Sequence, residues 1–167
     1  KYVIALYETR DKIIWAGTYW GVSRFPKSAL AFDYFGLQRN ITGAMSEDAS
    51  GALWVFTADA GLYWISPDRT TAILYESIGN PDKQQPLSIK DTWSLSIAID
   101  VNGWLWLTTD GHGLILFAPR TGEYKHYTSA EDDRIPSDVM YHVSQGPDGR
   151  MWLGTDSGVL VIDPRSG

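Results

Sequence analysis

An all-β repeat fold is what the 167-residue sequence predicts, and three observations carry that prediction. The first is a unit written four times. Aligned on Trp15, Trp54, Trp106 and Trp152, each copy has a threonine three residues on (Thr18, Thr57, Thr109, Thr155). A glycine follows six or seven after each tryptophan (Gly21, Gly61, Gly113, Gly158), and a proline eleven to thirteen after it (Pro26, Pro67, Pro119, Pro164). The tryptophans stand 39, 52 and 46 residues apart, and a period in this range marks stacked supersecondary units. The second observation is run length. Segments such as LWLTT and LILF are four or five residues of bulky, β-branched or aromatic side chains bounded by Gly, Pro or Asp-Gly, which suits strands and is too short for ordinary helices. The third is turn chemistry. Ser50-Gly51, Asn102-Gly103 and Asp148-Gly149 precede the tryptophans, and such pairs join strands in tight hairpins because glycine accepts a positive φ. Four antiparallel strands per copy make one propeller blade. The chain is therefore expected to be a β-propeller segment of about four blades.

Taken in order, blade 1 covers about 1–37, with Tyr2 to Glu8 as strand A, Ile13 to Thr18 as B, Gly21 to Phe25 as C and Leu30 to Phe35 as D. Blade 2 covers about 38–78 on the same plan. The polar stretch SIGNPDKQQPLSIKD follows, and its Gly79, Pro81 and Pro86 argue against regular structure there. Blade 3 occupies about 92–129, and the acidic loop SAEDDRIPSD leads to a partial blade 4 at about 138–167. That last copy reaches the turn after strand C and has no strand D. Open edges at both ends are what a closed ring avoids, so the segment is expected to belong to a larger propeller.

Composition narrows the function classes. The chain is 44% hydrophobic and 13% aromatic, with 8 Trp, 9 Tyr and 16 Gly, as expected of a turn-rich β protein. A net charge of −6 without a basic run argues against nucleic acid, since phosphate binding needs concentrated Lys and Arg. Zero Cys removes disulfides and thiolate chemistry. No stretch of 18 apolar residues occurs, so any export or anchoring signal lies outside this sequence.

Asp100, Gly103, Leu105, Trp106, Thr109, Gly113, Leu114, Pro119, Thr121, Gly122 and Tyr127 trace one pattern, and much of it recurs around Trp54 and Trp152. This pattern resembles the two-component regulator propeller repeats. The resemblance implies the extracytoplasmic sensor region of a bacterial hybrid two-component histidine kinase or related diguanylate cyclase. It further implies a periplasmic location on an inner-membrane protein, downstream signalling domains as partners, and a homodimer. Lys12 stands where the turn glycine belongs, Gly146 where an aspartate ends strand A, and Trp93 where strand A opens with an aliphatic residue.

Most of these residues read as architecture. The repeat tryptophans are expected as wedges between blades, each removing about 150–250 Å² from water, and Asp48 and Asp100 as hairpin caps bonding backbone N–H groups. Glu131 to Asp133 lacks the spaced oxygens of a calcium loop. His112, His126 and His142 show no metal-ligand spacing, and neither a nucleophile elbow nor a phosphate-cradling glycine loop occurs. No catalytic residue, metal set or cofactor is expected. A carbohydrate-active or lyase-type propeller enzyme and a protein-binding scaffold are the alternatives to a ligand sensor.

Candidate binding residues follow from topology. In a blade ordered A to D, the B–C loop and the D–A connection emerge at one end, and the A–B and C–D turns at the other. The second set is short and stereotyped; the first varies, and binding residues concentrate on loops held by a rigid scaffold. Trp20, Asp59, Asp110, His112 and Asp156 lie in B–C loops, and Trp93 opens a strand beside them. Exposed aromatics with convergent polar groups suit a small polar molecule or oligosaccharide. These six residues are the expected site.

Overall fold

A computed structural model describes residues 3–19, 21–25, 33–35, 42–82, 85–90 and 92–165. All regular structure among them is strand. The chain forms two compact units, one of residues 1–76 and 89–91, the other of 77–88 and 92–167.

In the first unit, sheet I contains β1 (Val3–Glu8), β2 (Ile14–Thr18), β3 (Gly21–Phe25) and β4 (Asp33–Phe35), and sheet II contains β5 (Thr42–Glu47), β6 (Leu53–Thr57), β7 (Gly61–Ile65) and β8 (Ala72–Tyr75). In the second unit a short ladder joins β9 (Ser77–Ile78) to β10 (Leu87–Ser88). Sheet III then runs β11 (Ser94–Ile99), β12 (Leu105–Thr109), β13 (Leu114–Ala118) and β14 (Glu123–Tyr127), and sheet IV runs β15 (Met140–Gln145), β16 (Met151–Thr155) and β17 (Gly158–Ile162). Each sheet is an antiparallel meander in chain order. Three have four strands and sheet IV has three among the described residues, as expected of propeller blades with the last incomplete.

Strand length and side-chain bulk decide where the core sits. Every residue of β6, β12 and β13 is buried, whereas β8 and β14 are largely exposed or half-exposed. In sheets II and III the second and third strands thus bury nearly all of both faces, which is why their sequences read as continuous apolar runs. Opposed residues of an antiparallel pair share a face. The face of sheet I carrying Trp15 and Val22 packs on Met45, Leu53 and Val55 of sheet II. The face of sheet III carrying Trp106, Leu114 and Leu116 packs in the same way on Met140, Val143, Met151 and Leu153 of sheet IV.

The threonine and glycine of each repeat now have a reason. Thr18, Thr57, Thr109 and Thr155 donate their hydroxyls to the carbonyls of Gly21, Gly61, Gly113 and Gly158 at 2.9, 3.0, 2.7 and 2.9 Å, tying every B–C loop to its own base. Gly113 has φ +72°, and a Cβ there would lie 2.1 Å from the carbonyl oxygen of Tyr127. No other residue fits that approach. Each first strand also carries a register shift at the same place, between Val3 and Ala5, Thr42 and Ala44, Ser94 and Ser96, and Met140 and His142. Such a bulge re-aims side chains and strengthens the twist.

Three expectations are corrected. The connection 77–91 holds regular structure, because Gly79, Pro81 and Pro86 fall between β9 and β10 and leave two residues on each side to pair. Its loop docks on the outer strand of sheet III, where Tyr124 donates to the Gln85 carbonyl at 2.8 Å. Trp152 is not a buried wedge: it is 42% exposed, because no described sheet packs on its face, and it carries Arg150 above its ring at 5.9 Å. The aspartate caps do more than bond backbone. Asp48 and Asp100 also accept the indole N–H of Trp54 and Trp106 at 2.9 and 3.0 Å.

Candidate functional site

The B–C loops and D–A connection of the second unit meet through backbone hydrogen bonds. Asp110 N–H donates to the Trp93 carbonyl at 2.8 Å, and Asp110 forms an isolated antiparallel bridge with Val139. Asp156 N–H donates to the Val139 carbonyl at 3.3 Å. Trp93, Asp110 and Asp156 are therefore strung across neighbouring sheets at one end of this unit. The Trp93 side chain is 51% exposed. His112 belongs to the same loop as Asp110; its N–H is held by Thr109 Oγ1 at 3.0 Å and its carbonyl lies 2.7 Å from His126 Nε2. The Asp110, His112 and Asp156 side chains face solvent, and Asp156 accepts from the Ser157 hydroxyl at 3.0 Å.

The remaining two candidates stand apart. Asp59 is a half-buried B–C loop residue of the first unit, where its charge, after burial, helps raise the Tyr63 phenol above its ordinary value. Trp20 lies outside the described residues, as do Arg39 and Asp91 of the D–A connections. The residue that sequence reasoning missed is Asp138. Its carboxylate accepts from Ser129 N–H and Oγ at 2.7 and 3.0 Å, and its carbonyl accepts from Gly111 and Gly113 at 3.1 and 2.9 Å. Asp138 thereby ties the connection to the neighbouring loop. The only sequence signal for it was a Ser-Asp pair just before strand A.

A second concavity lies elsewhere in the same unit. A cleft of about 290 Å³ separates the outer strands of sheet III from β17, with Trp104, Trp106 and Leu116 on one wall and Leu160 and Ile162 on the other. Lys125 sits 5.8 Å from the Trp104 ring centroid. Asp132 and Arg134 line its rim as a bidentate pair, with Nη2–Oδ2 at 2.6 Å. Arg134 holds the Asp132 carboxyl down to about 2. None of the five sequence-predicted residues that are described (Asp59, Trp93, Asp110, His112 and Asp156) lines this cleft.

Comparison with known proteins places this geometry. The family model described as two component regulator propeller matches residues 134–157. Those residues run from Arg134 through sheet IV's first hairpin to the B–C loop that holds Asp156. No curated protein sequence matches the chain. Among solved structures, the extracellular domain described as that of the one component system BT4673 from B. thetaiotaomicron is 22% identical, with a TM-score of 0.79 over 96% of this chain and 21% of that one. The extracellular domain described as that of the hybrid two component system BT3049 from the same organism is 20% identical, with a TM-score of 0.75 over 98% of this chain and 23% of that one. The WD40 β-propeller domain of Doa1 is 9% identical, with a TM-score of 0.70 over 96% of this chain and 50% of that one. This chain spans about a fifth to a quarter of the two extracellular domains. It is thus an all-β propeller segment similar to the two-component regulator propeller repeats, with the family match falling on residues 134–157.

Proposed function

We propose that the chain is a ligand-sensing, extracytoplasmic propeller segment of a membrane-bound two-component signalling protein. The observation that supports this reading is the regulator-propeller match over residues 134–157, the stretch that supplies Val139 and Asp156 beside Trp93 and Asp110. Extracellular domains of signalling systems with the same fold support the location. The ligand is a small polar molecule or oligosaccharide that lies on the Trp93 indole and hydrogen-bonds to Asp110, His112 and Asp156. Binding across loops of two sheets favours one arrangement of the receptor over another by its differential affinity, which is how a sensor transmits a signal.

A thermal-shift panel of oligosaccharides and small metabolites tests this. The expected result is a ligand that raises the melting temperature and loses its effect in Trp93→Ala and Asp110→Ala. If the shift survives both but disappears when the Pro119–Gly122 turn is changed, the site is at the opposite end. Turnover of a glycan by the purified protein would make it an enzyme instead.

A further inference from the structure

The last strand of a sheet leaves one row of backbone N–H and C=O groups without a neighbour, and charged side chains along that row are the usual guard against a second chain pairing there. The outer strands of sheets II and III differ in that guard. β14 carries Glu123, Lys125 and His126, and its Tyr124 is engaged by the Gln85 carbonyl at 2.8 Å. β8 reads Ala-Ile-Leu-Tyr after two threonines, so residues 70–75 hold no charge. It is also open. Ile73 is 45% exposed and Leu74 37%, and Thr70, Thr71 and Ala72 beside them face solvent.

The register of β8 says which backbone groups are free. Ser66 N–H donates to the Thr71 carbonyl at 2.9 Å, which makes Ser66 and Thr71 a hydrogen-bonded pair, and such pairs alternate along an antiparallel ladder. Ile73 opposite Trp64 and Tyr75 opposite Leu62 are then bonded to β7, while Ala72 and Leu74, opposite Ile65 and Tyr63, turn their N–H and C=O groups away from it. Two further observations agree. A Cβ on Gly61 would lie 2.3 Å from the Tyr75 carbonyl oxygen, which therefore points into the sheet. The next outward group, the Glu76 carbonyl, accepts from Ile89 and Lys90 N–H at 3.0 and 3.1 Å. The returning chain thus takes the edge at Glu76 and leaves it open at Ala72 and Leu74 among the described residues.

We propose that β8 is a self-pairing edge, at which two copies of the chain join β8 to β8 antiparallel about a two-fold axis through Ile73. A second copy is the occupant because the row is its own complement. In this register Ala72 of each copy opposes Leu74 of the other, so every outward N–H meets an outward carbonyl, and Ile73 opposes Ile73. Thr71 falls opposite Tyr75 and Thr70 opposite Glu76, so no like charges meet. The contact is isologous and closes at two copies. β8 lies in the interior of the chain, and sheet II alone sets this edge. The proposal does not rest on the sensor reading or on any ligand.

Cross-linking tests the register directly. The chain has no cysteine, so Ile73→Cys puts a single thiol on the axis. Opposed residues of a non-hydrogen-bonded pair have Cα atoms about 4.5 Å apart, which a disulfide spans. Ile73→Cys is expected to oxidise to a covalent dimer far faster than Val101→Cys, which is 74% exposed but off the edge. In sedimentation the wild type is expected to dimerise with concentration. Ile73→Lys and Ile73→Glu are each expected to be monomeric, because like charges then face each other across the axis, and mixed in equal amounts they are expected to form a one-to-one dimer. Leu74→Pro removes an outward N–H without touching the pairing to β7, and it replaces either charged variant if circular dichroism shows that one unfolded. A wild-type chain still monomeric at about 1 mM, where even a weak interface is populated, overturns the proposal. So does self-association that the Ile73 variants leave intact, a charged mixture that fails to dimerise, or a Val101→Cys chain that cross-links as readily as Ile73→Cys.

Discussion

The first hairpins of sheets I and III share a backbone and differ in almost every side chain. Thr9 N–H bonds the Ile13 carbonyl at 2.9 Å and Lys12 N–H the Thr9 carbonyl at 2.9 Å; Asp100 and Trp104, and Gly103 and Asp100, make the same two bonds at 3.0 Å each. Within that common frame, Asp100 Oδ1 accepts from Asn102 and Trp104 N–H while Oδ2 takes the Trp106 indole. Thr9 reaches only Asp11 and the Ile13 carbonyl, and the buried Trp15 indole N–H has no hydrogen-bond partner among the described residues. Glycine meets the positive φ of Gly103 at +81°, whereas Lys12 adopts +67° with a side chain. The difference teaches that packing between sheets buries a tryptophan whatever the turn beneath it, and that the turn alone decides whether its polar edge is satisfied.

The largest test of that separation removes the ring. Trp106→Ala empties a site between sheets III and IV and is expected to destabilise the fold by about 3–5 kcal/mol in urea denaturation. The solvent-facing Trp152→Ala is expected to cost under about 1 kcal/mol in the same assay. Equal costs would mean that repeat position, not burial, sets the energy. Next, Asp100→Ala strands two backbone N–H groups and a buried indole, with an expected loss of about 1–3 kcal/mol; Asp100→Asn keeps an acceptor and should recover part of it.

Sheet I offers the converse. Thr9→Asp gives the Trp15 indole the acceptor that Trp106 has, and a gain of about 1 kcal/mol is expected, or roughly 2–4 °C in melting temperature. A loss there would show that the Trp15 edge is oriented differently from that of Trp106. The smallest effect is expected at Lys12→Gly, where relief of a left-handed backbone outweighs the looser unfolded chain by about 0.5 kcal/mol. Chemical denaturation resolves its sign when it is measured beside Gly103→Lys, which should move the other way.

Gly146 shows how a departure from the pattern plays out. A Cβ there would lie 2.9 Å from Trp152 Nε1, so in sheet IV the indole leans into the space that a carboxylate fills in sheets II and III. The sequence marked Gly146 as a departure, but the consequence needed the position of the ring.

How much of the candidate site was legible follows from the same distinction between local and distant contacts. The B–C loops could be placed from the Thr-to-Gly spacing, because Thr57 and Thr109 each close a loop only a few residues long. That Trp93, Asp110 and Asp156 adjoin could not be read directly, since they meet through Val139, whose partners lie on separate sheets. Asp138 was missed for that reason. The cleft beside Trp104 and Lys125 was equally hidden, because its walls come from different sheets.

By itself the sequence determined the strands of the four sheets, their order within each sheet and the all-β propeller class, but not the β9–β10 ladder. Strand length, side-chain bulk and turn residues act over a few neighbours, and the repeat states them four times. Only the tertiary structure decided which tryptophans are buried, which polar edges are paired and which apolar faces remain open. Those outcomes depend on what packs against a face from a distant part of the chain, and Trp106 and Trp152, alike in sequence context, differ because among the described residues a sheet packs on Trp106 and none on Trp152.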